Sequence, residues 1–145
     1  FIDGLHTYEQ ALKDTLNALN ALKRGGVVAL HDCNPPHAAA AFPARSYEDA
    51  AAAKPSGWTG EWCGDVWKAI VHLRSRHPEL EVTVLDCDYG VGLVRRAKVA
   101  ATRGIDVRDL AGWDYARLAA ARVELLNLKP PSHLDRWIAD LKTIN

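Results

Sequence analysis

The sequence predicts an α/β fold in which an open, mostly parallel sheet ends in an antiparallel strand and is followed by C-terminal helices. Three observations lead there. Segments with helical periodicity alternate with short apolar runs, the pattern of helices packed on a sheet. Val27-Val28-Ala29-Leu30 is continuous and β-branched, as strands buried on both faces of a parallel sheet are. Leu80–Leu85 and Tyr89–Arg95 are separated only by Asp86-Cys87-Asp88, a spacing that permits a hairpin and no crossover.

Thr7-Tyr8-Glu9-Gln10 has the form of a capping box, and Tyr8, Leu12, Leu16, Leu19 and Leu22 then recur at helical spacing. With Lys23-Arg24-Gly25-Gly26 as cationic end and glycine stop, a helix is predicted over 8–24. The Val27–Leu30 strand runs into His31-Asp32-Cys33-Asn34-Pro35-Pro36. From Pro35 to Gly60 the chain is rich in alanine, proline and glycine, with a weak helical stretch near Tyr47–Ala53, and it reads as a mobile connection or lid. Trp62, Val66, Ile70 and Leu73 restore the helical period, predicting a helix over 61–76 before the hairpin. Two more helix patterns follow Lys98: Tyr115, Leu118, Leu125 and Leu126 on one, Leu134, Trp137, Ile138 and Leu141 on the other, the second capped by Ser132 and Asp135. These helices would either pack on the sheet as a tail or mediate a homo-oligomer.

Composition sets outer bounds on function. At 145 residues and 48% hydrophobic the chain fits one globular domain. Eighteen basic residues balance 18 acidic ones, so no global field draws the protein to nucleic acid or to a membrane surface. No apolar run approaches the roughly 18 residues that span a bilayer, and the opening Phe1-Ile2-Asp3-Gly4 does not resemble a signal peptide, so the cytoplasm is the expected compartment. Cys33, Cys63 and Cys87 form no C-x-x-C pair and are odd in number, which predicts reduced thiols. The absence of methionine points to a start upstream of Phe1.

The chemistry concentrates in two short polar segments at the ends of successive strands: Asp3 and His6 after the first, His31 and Asp32 after Leu30. In open α/β sheets that edge is where ligands bind, since loops there converge on one crevice in front of rigid strands. Neighbouring strands about 5 Å apart would let the four side chains face one pocket. Two chemistries fit. The carboxylates and an imidazole could hold a divalent cation that lowers the pKa of a substrate hydroxyl; or His6 or His31 could act as general base with an aspartate orienting the ring. Taken singly, each residue also has a structural use as a turn former or helix neighbour. Tyr89-Gly90-Val91-Gly92 lacks the third glycine and following helix of a dinucleotide fingerprint, and its glycines suit a turn or close packing. Trp58, Trp62 and Trp67 beside Gly57, Gly60 and Gly64 could close over an acceptor or fill the core.

Ile2-Asp3-Gly4-Leu5-His6-Thr7-Tyr8, then Leu22 through Asp32, resemble the I-D-G-x-H-x-Y … L-x-x-G-G-x-x-x-x-H-D signature of class I methyltransferases. Gly64 through Ile70 and Asp88 through Gly92 are similar to further segments of that family, as, less specifically, is Arg122 through Leu128. The resemblance implies that residues 1–97 are the C-terminal half of a Rossmann-like methyltransferase domain and 98–145 a helical extension. Its sheet would have seven strands, the fourth ending at Asp3, the fifth at Val27–Leu30 and the last two forming the reversed hairpin. It also implies S-adenosylmethionine as cofactor, with the cofactor's glycine-rich loop and ribose-binding acid upstream. In similar metal-dependent O-methyltransferases an acid after the fourth strand and an acidic pair after the fifth hold magnesium. Asp3 and Asp32 match two of these positions, while His31 or Cys33 occupies the third, a softer donor that favours a softer metal or none. The expectation is O-methylation of a small-molecule hydroxyl, with His6, His31 and Asp32 catalytic and Asp3, His31 and Asp32 as metal ligands. A different His/Asp metal enzyme on the same scaffold, or a silent binding or dimerisation module, are the alternatives.

Overall fold

A computed structural model describes residues 1–97 and 104–143, with side chains of the last helix described through Ala139; positions 98–103 and the Leu141 side chain, which belong to the expected C-terminal extension, lie outside the described residues. In chain order the elements are α1 (Tyr8–Ala21), β1 (Val28–Leu30), α2 (Tyr47–Ala53), α3 (Trp67–Arg76), β2 (Leu80–Leu85), β3 (Val91–Arg96), a 3₁₀ turn (Leu110–Gly112), α4 (Tyr115–Leu126), β4 (Leu128–Lys129) and α5 (His133–Thr143).

The strands form one sheet in the order β1-β3-β2-β4. β3 runs antiparallel to both neighbours, with Val94 opposite Val28 and Val82, so β1 and β2 point the same way. On the free side of β1, Ile2 makes a parallel bridge to Leu30: its amide donates to the Ala29 carbonyl at 2.8 Å and its carbonyl accepts from His31 at 3.0 Å. Asp3 therefore leaves the sheet beside His31. The mixture of parallel and antiparallel pairs is consistent with a partial Rossmann-like fold.

Alternation along the strands divides the apolar residues between two faces. Val28, Leu30, Val82, Val84 and Val94 join Ala11 and Leu19 of α1, Ile70 and Leu73 of α3, and Leu118 and Leu126 of α4 in the main core. Leu85 and Leu93 face the other way and meet Trp137 of α5. Arg95 lies between them, its guanidinium 4.2 Å from the Trp137 ring and hydrogen-bonded to Glu81 at 2.7 Å, so a buried cation is both paired and stacked. The last helix thus packs on the sheet.

Several local expectations are corrected. The capping box does not form: the Thr7 amide already donates to Leu5 at 2.8 Å, and the Asp65 carboxylate takes the Tyr8 amide at 2.6 Å, leaving Gln10 to bond Asp14 instead. A carboxylate from a distant turn thus satisfies the first amide of α1, at its positive end. The helix stops at Ala21 because Leu22 turns extended and folds its side chain over Gly26. The second predicted helix begins at Trp67, six residues late, since Gly64 at φ 57° opens a turn over 64–66. The 35–60 segment is anchored, with Ala39, Ala40 and Ala50 buried and α2 capped by Ser46. Periodicity also missed β4: Asn127, left-handed at φ 50°, ends α4, and its carbonyl accepts from Thr83 at 2.8 Å, laying the next residues beside β2.

The hairpin turn is longer than predicted because Asp88, Tyr89 and Gly90 are all left-handed, at φ 46°, 58° and 91°. Gly90 is the tight point, since a Cβ there would sit 2.4 Å from the Asn34 amide nitrogen. Gly90→Ala should therefore lower stability by more than about 2 kcal/mol in urea unfolding; a loss below about 0.5 kcal/mol would show that the contact is not tight in solution.

Candidate functional site

The Ile2 bridge and β1 deliver their loops side by side, and the four polar residues converge. Asp32 Oδ2 lies 3.2 Å from His6 Nε2 and 3.0 Å from His31 Nδ1. Asp3 Oδ1 is 3.3 Å from His6 Nε2 and 3.6 Å from His31 Nδ1. Asp32 is only 5% exposed and its backbone is left-handed at φ 60°, a conformation that aspartate tolerates better than most residues. Its carboxylate is buried between two imidazoles.

Hydrogen bonding sets which nitrogen of each ring carries a proton. His6 Nδ1 sits 2.7 Å from the Trp62 carbonyl, which can only accept, so Nδ1 is the donor. Nε2 faces two carboxylate oxygens. Like-signed electron density at such distances is repulsive unless a proton or cation lies among the three atoms. Asp3, His6 and Asp32 are also the described group whose ligand atoms all fall within 4.8 Å of one another. Ligands at right angles around an ion with bonds of about 2.1 Å stand about 3 Å apart, near the separations seen here. The donor set, two hard oxygens and one imidazole, suits a divalent cation of intermediate softness.

His31, expected among the metal ligands, is not in that group. Its ring spans two carboxylates, with Nδ1 donating to Asp32 and Nε2 at 3.2 Å from Asp88 on the hairpin turn. Burial opposes its protonation, but Asp32, Asp88 and Asp3 outweigh it and hold the imidazole above its ordinary pKa. Cys33, the other occupant of the third family position, is buried, and its thiol donates to the Leu30 and His31 carbonyls. Burial pushes both Cys33 and Cys63 far up, so neither offers a thiolate.

Sequence reasoning missed Asp88, which looked like turn chemistry, and the Trp62 backbone carbonyl, which has no sequence signature. Of the flagged tryptophans, Trp62 stacks on His6 with ring centroids 5.3 Å apart, Trp67 is in the core, and Trp58 leans on Tyr47. Tyr89, also on the hairpin turn, meets the edge of His31 and donates to Glu61 at 2.5 Å, which lowers the Glu61 pKa and closes the turn against the end of the 35–60 segment. The enclosed space between the two polar loops is about 10 Å³. That space is backed by the apolar Ala11, Leu30 and Val66, and Asp3 and Asp88 are the exposed members of the cluster.

Residues 1–33, which carry Asp3, His6, His31 and Asp32, match a family model described as a methyltransferase domain. Over this short N-terminal stretch the match supports a class I S-adenosylmethionine-dependent methyltransferase family. No curated protein and no solved structure matches the chain. None of the described helices is long and apolar enough to cross a membrane.

The raised pKa of His31 has a signed consequence for stability. Its contribution is complete below the unfolded value, about 6.5, and is lost as pH rises through the higher folded value. In metal-free protein the stability gap between wild type and His31→Gln should be larger near about pH 5.5 than near about pH 8.5 in urea unfolding. A gap that widens with pH would contradict the charge assignment.

Proposed function

We propose that the chain carries the acceptor side of a methyltransferase that uses S-adenosylmethionine to O-methylate a small-molecule hydroxyl. In this reading β1, β3 and β2 are the last strands of a Rossmann-like domain in residues 1–97, with 98–145 as its C-terminal extension, and the free thiols suit a reducing compartment such as the cytoplasm. The observation that supports it most is His6 Nε2 held between two carboxylate oxygens inside the stretch that matches the family.

Among the described residues no strand runs through a glycine-rich turn into a helix, the element that cradles an adenosyl cofactor in such folds. For a divalent cation the donor set does fit: Asp3 Oδ1, His6 Nε2 and Asp32 Oδ2 would hold it. When bound, such a cation supplies positive charge that lowers the pKa of an acceptor hydroxyl. The remaining residues orient this set. His31 grips Asp32 through Nδ1–H and is itself braced by Asp88, which keeps the Asp32 oxygen in place. The Trp62 carbonyl keeps the His6 proton on Nδ1.

A second reading rests on the same nitrogen: without a cation, His6 Nε2 is placed to take the hydroxyl proton itself. Chelation separates the two. With labelled S-adenosylmethionine and a panel of hydroxyl acceptors, transfer should fall at least about tenfold with chelator and return with Mn²⁺ or Mg²⁺, and Asp32→Asn should lower kcat/KM by about 100-fold. Chelator-insensitive transfer that disappears in His6→Gln would favour the base. Transfer to nitrogen acceptors alone, or near-normal turnover by Asp32→Asn, would defeat the proposal.

A further inference from the structure

The turn formed by Trp62-Cys63-Gly64-Asp65 encloses His6 from several sides. Beyond the Nδ1 bond to the Trp62 carbonyl and the indole stack, the Asp65 amide donates to the His6 carbonyl at 3.3 Å. The Asp65 carboxylate holds the Tyr8 amide two residues on. Gly64 presses against the same carbonyl so closely that a Cβ would sit 1.9 Å from its oxygen. Only a residue without a side chain lets the two backbones meet.

The turn is itself held from behind. The Cys63 and Gly64 amides donate to the Ala40 carbonyl at 2.8 and 3.0 Å, and the Trp62 indole donates to the Phe42 carbonyl at 2.8 Å. Asp65 is 3.2 Å from Lys68, a lysine only 4% exposed. A connected set of contacts therefore runs from the 35–60 segment through the turn to the His6 ring.

We infer that residues 62–65 are the positioning element for His6, fixing its ring with Nε2 toward Asp3 and Asp32 and tying that orientation to Ala40 and Phe42. The inference rests on the reading of His6 as a cation ligand. Its physical basis is the dependence of an imidazole ligand on whatever accepts its other N–H, whose loss typically costs about 10- to 100-fold in metal affinity. His6 stands on a loop ahead of α1, and no neighbour on its own segment makes that bond.

The test titrates Mn²⁺ into wild type, Gly64→Ala, Trp62→Phe, His6→Ala and the Gly64→Ala/His6→Ala double variant, and records the proton spectrum of the His6 ring in each protein that keeps it. Gly64→Ala should weaken Mn²⁺ binding at least about tenfold in the wild-type background and have little further effect once His6 is gone. It should also abolish the downfield resonance of the hydrogen-bonded His6 Nδ1–H. Trp62→Phe keeps the backbone carbonyl and the ring stack but loses the bond to Phe42, and should weaken Mn²⁺ binding by about two- to fivefold; this variant decides the matter if Gly64→Ala fails to fold. Unchanged affinity in the folded variants, or equal losses with and without His6, would overturn the inference. Should wild type bind no Mn²⁺, the cation reading fails, and the positioning element is judged on the resonance: present in wild type and lost in Gly64→Ala supports it, while absent in wild type or unaltered in the variant overturns it.

Discussion

A carboxylate taken out of water must be neutralised, and Asp32 is buried at the sheet edge with its backbone in the left-handed region. The neighbouring elements are arranged around that requirement. His31 and His6 supply nitrogens at 3.0 and 3.2 Å, and each histidine is held by something further out, His31 by Asp88 and His6 by the Trp62 carbonyl. One buried charge thereby connects the Ile2 bridge, β1, the hairpin turn and the turn before α3.

The same requirement accounts for the unusual backbone nearby. The hairpin turn can present Asp88 to His31 only because Asp88, Tyr89 and Gly90 run left-handed in succession, a costly path unless neighbours hold it. They do: the Cys33 and Asn34 amides donate to the Gly90 and Tyr89 carbonyls at 2.9 and 2.6 Å. The loop that carries Asp32 and the turn that carries Asp88 therefore stabilise each other. Packing alone explains Gly92, whose missing Cβ makes room for Cys33 and Ile70. The polar cluster and the main core meet at this boundary, where Leu30 and Cys33 are fully buried on either side of His31 and Asp32.

How much of this could be read in advance depended on the range of the interaction. β1, the hairpin and the helices α1, α3, α4 and α5 were legible because hydrophobic period and turn residues are local signals. Convergence of Asp3, His6, His31 and Asp32 was legible too, since it needs only adjacent strands ending in polar loops. The capping box failed because the Thr7 amide that it would engage is bonded to Leu5, while Asp65, fifty-seven residues from Tyr8, takes the first helical amide. His31 does stand beside the carboxylates, its Nδ1 3.0 Å from Asp32 and 3.6 Å from Asp3, but the hold that Asp88 has on its second nitrogen has no local signal.

The sequence by itself determined the alternation of helices and strands, the hairpin and the residues that end at one sheet edge, all consequences of local periodicity and of chain connectivity. Tertiary structure alone decided which nitrogen of each histidine faces the Asp32 carboxylate. That choice is made by hydrogen-bond partners on distant segments, a backbone carbonyl at Trp62 and a side chain at Asp88. A backbone carbonyl is the same in every residue type, so its position near His6 follows only from how the chain folds back.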